Sequence, residues 1–88
     1  MYSRQVEVLN ATGLHARPAA RFVRAAKQFS SSIEIRKTES SRGVNAKSIA
    51  RLLTEAITQG TVIEISAVGT DEREAVDHLV ELIGSFDY

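Results

Sequence analysis

The residues Gly13-Leu14-His15-Ala16-Arg17-Pro18 combine types and spacing that could do chemistry. A histidine stands at the mouth of a helix beside a flexible glycine, with an arginine two residues on. Pro18 suits a first turn, whose N–H groups have no intrahelical acceptor to lose. Those unpaired amides and the partial positive charge of a helix N-terminus together make an anion site. A positive helix end and Arg17 also favour a neutral, nucleophilic imidazole over the cation. If His15 attacked a phosphoryl group, the anionic phosphohistidine would lie against first-turn amides and the Arg17 guanidinium.

A lone histidine is more often a turn or capping residue than a nucleophile. The spacing with Gly13, Arg17 and Pro18 sets His15 apart from that ordinary case. His78, the other histidine, has no local partner histidine or cysteine for a metal and stands in an acidic stretch, so it reads as a solvated helix position. No metal site and no cofactor is expected.

The elements that must position His15 follow from periodicity. Arg4 to Leu9 alternates apolar Val6 and Val8 with polar Gln5 and Glu7, as a half-buried strand does. After the turn-prone Asn10-Ala11-Thr12-Gly13, apolar Ala16, Ala19, Ala20, Phe22, Val23 and Ala26 recur at helical spacing. Arg17, Arg21, Arg24 and Lys27 mark the other side, predicting a helix that begins near His15 with a basic outer face. Ile33 and Ile35 alternate with Glu34 and Arg36 in a second strand, and a polar hairpin leads to a short third strand near Val44. A second helix is expected from Ser48 to about Ala56, with Ile49, Leu52, Leu53 and Ala56 at helical spacing. Thr61 to Val68 is the clearest strand. Thr70 is a plausible N-cap for a last helix with Asp71, Glu72 and Glu74 in its first turn and a stripe of Val76, Leu79, Val80, Ile83 and Phe86. The order β-α-β-β-α-β-α predicts an α+β domain whose mostly antiparallel sheet has one face against helices.

With 88 residues there is room for one small domain, spanning 1–88. The absence of cysteine excludes disulfides and Cys-based zinc sites and suits a reducing compartment, so a cytoplasmic protein is expected. No apolar run approaches a membrane span and no charged leader precedes one, so membrane insertion and secretion are not expected. Eleven basic groups balance eleven acids, which argues against a nucleic-acid binder. The balance hides a split: residues 1–51 hold ten of the basic groups and only Glu7, Glu34 and Glu39, whereas residues 52–88 hold Arg73 against eight acids. That split predicts a basic docking face around the first helix, opposite an acidic last helix.

Three stretches, GLHARPAARFV around His15, VNAKSI around Ser48, and TQGTVIEISAVGTDEREAVDHLVELI at the end, resemble the histidine-containing phosphocarrier (HPr) family of the phosphoenolpyruvate-dependent phosphotransferase system. The resemblance covers nearly the whole chain. It implies an open-faced β-sandwich, a four-stranded antiparallel sheet with three helices on one face. It implies a phosphocarrier, not a stand-alone turnover enzyme, that accepts a phosphoryl group from phosphorylated enzyme I on Nδ1 of His15 and passes it to an enzyme IIA domain. Arg17 matches the arginine that stabilises the phosphate. Ser48 aligns with a serine that a dedicated kinase phosphorylates in many bacteria and a phosphorylase restores, although a serine there also serves simply as a helix cap. The implied partner surface comprises Ala16, Arg17, Ala20, Arg24 and Lys27 with apolar Ile49 and Leu53. A small apolar patch with a basic rim suits fast, transient docking of a monomer.

The stretch from Lys37 to Gly43 looks longer than the usual family hairpin, and Ala50 stands where sugar-system members often carry a large residue. A nitrogen-related paralogue with a regulatory role is therefore the alternative branch. A module of the same fold that only binds a partner would not require a nucleophile at position 15. An RNA-binding α+β domain would want aromatics on the open sheet, whereas Phe22, Phe29 and Phe86 fall on helices or connections.

Overall fold

The computed structural model describes residues 1–87. Four strands, β1 (Tyr2–Glu7), β2 (Ser32–Lys37), β3 (Val44–Asn45) and β4 (Val62–Val68), alternate with helices α1 (Arg17–Ala26), α2 (Ile49–Leu53) and α3 (Glu72–Ser85) in the order read from the sequence. All pairings are antiparallel and the sheet runs β1-β4-β2-β3.

Register decides which residues face the helices. Val6 lies opposite Ile63, Arg4 opposite Ile65, and Ile33 and Ile35 opposite Ala67 and Ile65, so these side chains share one face. There Ile33, Ile35, Ile63, Ile65 and Ala67 are buried with Phe22, Val23 and Ala26 of α1, Leu52 of α2 and Val76, Leu79 and Ile83 of α3. Full burial of each larger side chain contributes roughly 1.5–3 kcal/mol. The other face carries Ser3, Gln5, Glu7, Ser32, Glu34, Arg36, Glu64 and Ser66. It presents no aromatic platform on which bases would stack.

The helices differ from the expected ones at their ends. Pro18 occupies the second position of α1, so the helix begins at Arg17 and His15 lies just outside it. Only five residues of α2 are helical, because Ala56 turns to a left-handed φ of 51° three residues beyond its end. Leu52 alone of its apolar residues is buried, leaving Ile49 and Leu53 half exposed. The N-cap of α3 is Asp71, not Thr70.

Asp71 does not cap its own helix. Its carboxylate accepts from Ser31 N–H at 3.0 Å, from Ser30 N–H at 2.9 Å and from the Ser31 hydroxyl, tying the start of α3 to the connection between α1 and β2. Ser31 is buried beside Gly69, where an added Cβ would meet Ser31 Oγ at 2.5 Å. Farther along α3, Asp77 accepts from the Tyr2 hydroxyl at 2.8 Å and pairs with Arg4 at 3.1 Å, while Arg73 stands 4.7 Å over the Tyr2 ring. These contacts fasten α3 to the edge strand β1.

The Ser31 hydroxyl, followed by the Ser30 amide, holds the Asp71 carboxyl down at about 2, against an ordinary 3.8. A carboxylate depressed on folding stabilises the native state above its unfolded value and loses that contribution as pH falls through the folded one. Asp71→Asn therefore lowers stability at pH 7, and the gap to the parent stays constant down to about pH 4 and closes toward pH 2. Urea unfolding midpoints followed by circular dichroism across that range check it; a gap independent of pH contradicts the assignment.

Candidate functional site

Between β1 and α1 the chain makes a tight turn that is locked before it reaches His15. Gly13 N–H donates to Asn10 O at 3.1 Å, and the buried Asn10 amide returns a bond from Nδ2 to Gly13 O at 2.9 Å. Gly13 adopts a φ of 65° and lies against the segment after α2, where an added Cβ would meet Ile57 O at 2.4 Å and Thr58 Cα at 2.7 Å. Leu14 N–H then donates to Ile57 O at 2.9 Å, and the Leu14 side chain is 1% exposed. The glycine read as flexible is thus a fixed point of close approach. Sequence reasoning missed this anchor, because nothing in the Ile57-Thr58 dipeptide signals what it will touch.

His15 follows half buried, and the next residue, Ala16, has φ 53° and ψ −126°. That is glycine territory occupied by alanine, a conformation costing on the order of 1–3 kcal/mol that the surroundings must hold in place. Ala16, the N-cap residue, makes no side-chain cap bond to the first turn of α1. Arg17, the first helical residue, is exposed, and among the described residues its guanidinium makes no hydrogen bond or ion pair. The sharpest sequence motif therefore has the expected parts, with the imidazole presented from the strained entry to the helix and not from its first turn.

Along α1 the spacing Arg17, Ala20, Arg24, Lys27 keeps these residues on one face over about 15 Å. Ala20, Val23, Arg24 and Lys27 line, with Ile49 from α2, one shallow depression of ≈ 270 Å³. The structure thus brings together four of the residues assigned to partner contact. Ser48 and Leu53 lie outside that lining, although Leu53 is 45% exposed on the same short helix as Ile49, which is 42% exposed. Ser48 is the N-cap of α2, its Oγ accepting from Arg51 N–H at 3.2 Å. His78 is exposed on α3 with its ring 5.6 Å from that of Phe29, in keeping with a solvated helix position.

The acidic helix does not face away from the basic one. α3 lies beside α1 in the helical layer, so the charge split runs across one layer and not between opposite faces. Two of the four acids of α3 are used at close range, Glu72 by the chain's first amine at 3.2 Å and by Gly69 N–H, Asp77 by Tyr2 and Arg4. Arg24 and Lys27, like Arg17, form no ion pair among the described residues.

An open-faced sandwich that displays a histidine on a fixed loop, rather than inside a deep pocket, defines a protein built to meet other macromolecules. A family model described as the PTS HPr component phosphorylation site matches residues 2–85, and the chain belongs to this family, the HPr phosphocarriers of the phosphotransferase system. The phosphocarrier protein HPr of Haemophilus influenzae is 51% identical over 87 residues, 99% of this chain and 100% of that one. The HPr-like protein Crh of Halalkalibacterium halodurans is 47% identical over 83 residues, 94% of this chain and 96% of its own. A crystal structure of HPr-C-His from Thermoanaerobacter tengcongensis superposes with a TM-score of 0.91 at 48% identity, covering 97% of this chain and 93% of that one. Four antiparallel strands with three helices on one face are what both the resemblance and the coordinates contain.

Two opposite substitutions test the loop's mechanics. Gly13→Ala drives a methyl into the Ile57 carbonyl and costs about 1–3 kcal/mol. Ala16→Gly relieves a strained φ, and after the entropy a glycine loses on folding it stabilises by on the order of 1 kcal/mol. Denaturant unfolding of both variants measures the pair, and a stabilising Gly13→Ala or a destabilising Ala16→Gly contradicts this geometry.

Proposed function

We propose that residues 1–88 act as a single cytoplasmic, monomeric phosphocarrier domain that takes a phosphoryl group from phosphorylated enzyme I on Nδ1 of His15 and delivers it to an enzyme IIA. The observation that carries this reading is a half-buried histidine fixed at the uncapped amide end of α1, with an unpaired arginine one residue beyond the strained Ala16. The imidazole lone pair attacks phosphorus while the bond from phosphorus to the donor enzyme breaks, its electron pair leaving with the donor. The other ring nitrogen keeps its proton. The first-turn amides and Arg17 then hold the phosphate dianion by charge-assisted hydrogen bonds until a second partner attacks it. No cofactor takes part, and neither nucleic acid nor membrane is a partner; among the described residues no helix is long and apolar enough to cross a membrane.

Docking uses the depression of Ala20, Arg24, Lys27 and Ile49, with Ala16, Arg17 and Leu53 around it. Exposed cations speed the encounter with acidic surfaces, and a small apolar centre lets go quickly. Sugar uptake is the branch proposed; the alternative nitrogen-related branch differs in which enzyme IIA accepts the phosphate. Incubation with phosphoenolpyruvate and enzyme I is expected to give an acid-labile phosphate on the parent and none on His15→Ala. Equal labelling of both proteins would overturn the assignment of His15.

Ser48 is the second proposed site, modified by a serine kinase and restored by a phosphorylase. A phosphoserine at the start of α2 sits favourably at a helix N-terminus, yet it places two negative charges beside Ile49 and Leu53, where an acidic partner must dock. Ser48→Asp is expected to lower kcat/KM for transfer from enzyme I by about tenfold, equivalent to roughly 1.4 kcal/mol. Ser48→Ala removes the bond to Arg51 N–H and costs about 1 kcal/mol of stability with little effect on transfer. Transfer rates equal in parent and Ser48→Asp would refute regulation by charge.

A further inference from the structure

A depression of ≈ 510 Å³ lies between the β2–β3 hairpin and α2, and His15 is not among its lining residues. Its polar lining comes from Ser40, Arg42 and Asn45 on one side and Arg51, Thr54 and Glu55 on the other. The hairpin wall is built by Arg36. Its Nη1 donates to three backbone carbonyls, Lys37 O at 3.4 Å, Thr38 O at 3.2 Å and Ser40 O at 2.7 Å, while Nη2 meets Glu64 at 2.8 Å. The Ser40 hydroxyl closes the loop further, bonding both Arg42 N–H and Arg42 O. Arg36 is thus neutralised by Glu64 and consumed in holding the loop. Arg42 and Arg51, approaching the same hollow from two elements, form no ion pair among the described residues.

The geometry points to a second ligand site here, for a small phosphomonoester that also carries hydroxyl groups. Two arginines that line one hollow from different segments suit a phosphate dianion, for which planar bidentate donors are the best protein partners. Glu55 accepts hydroxyl hydrogens, the Asn45 amide both donates and accepts, and the Thr54 hydroxyl, which donates to Arg51 O at 2.6 Å, keeps lone pairs to accept. Among the described residues no aromatic side chain lines the hollow, which offers a nucleotide base no stacking partner there. The volume falls in the usual range for small-molecule sites. None of the lining residues belongs to the His15 loop or to the groove proposed for partner docking.

Titration of the ¹⁵N-labelled full chain with sn-glycerol 3-phosphate at constant ionic strength, read by amide chemical shifts, tests the site. Saturating shifts of Gly43, Asn45, Arg51 and Glu55 are expected, with a midpoint of roughly 1–10 mM. Arg42→Gln and Arg51→Gln each weaken that midpoint about tenfold, the double variant abolishes it, and inorganic phosphate binds more weakly than the ester for want of hydroxyls. His15→Ala leaves these shifts unchanged, which separates the hollow from the anion site at the helix start. Shifts that do not saturate, that glycerol or sodium chloride reproduces, that survive the double arginine variant, or that vanish in His15→Ala would each overturn the proposal.

Discussion

The contact between Gly13 and the Ile57-Thr58 backbone is the constraint on which the chemistry depends. Because the two chains approach more closely than any Cβ allows, the turn after β1 is pinned to the segment after α2, and Leu14 is drawn into the core. His15 therefore enters α1 from a fixed point, and the strain falls on the next residue, Ala16. The role proposed for His15 would need this rigidity: one ring nitrogen would have to meet a donor and then an acceptor in productive geometry, and looseness of even about 1 Å is costly for such transfers. The surrounding fold serves as a frame that keeps two backbone segments, remote in sequence, in contact.

Much of that frame was legible. The period-two runs around Ile33–Ile35 and Ile63–Ala67 became paired strands with their apolar residues inward, and Pro18 correctly marked a first turn. What was not legible depended on contacts distant in sequence. The second helix, expected from Ser48 to about Ala56, is only five residues long, and the core covers Leu52 alone, which leaves Ile49 and Leu53 at the surface where the resemblance implied apolar contacts. Thr70 has a capping side chain, yet Asp71 took the position because Ser30 and Ser31, forty residues away, supply donors to it. The Gly13 clamp and the twist at Ala16 had no local signal: an alanine rarely adopts a positive φ, so its type announces none.

The split of charge along the chain also acquires a physical sense that the sequence alone did not convey. Four of the eight acids of the second half are engaged within the molecule. Glu64 neutralises Arg36 on the open face, and Asp71, Glu72 and Asp77 bind α3 to the connection before β2, to the chain's first residue and to β1. Exposed pairs of this kind contribute little stability one at a time. Their larger effect is on what they leave over. Arg17, Arg24 and Lys27 stand along α1 without carboxylate partners among the described residues, so this stretch of the helix carries unneutralised positive charge although the chain as a whole is neutral. On the docking proposed above, that arrangement would raise the rate of encounter with acidic partners, and the small apolar patch at Ile49 would limit how long each one stays.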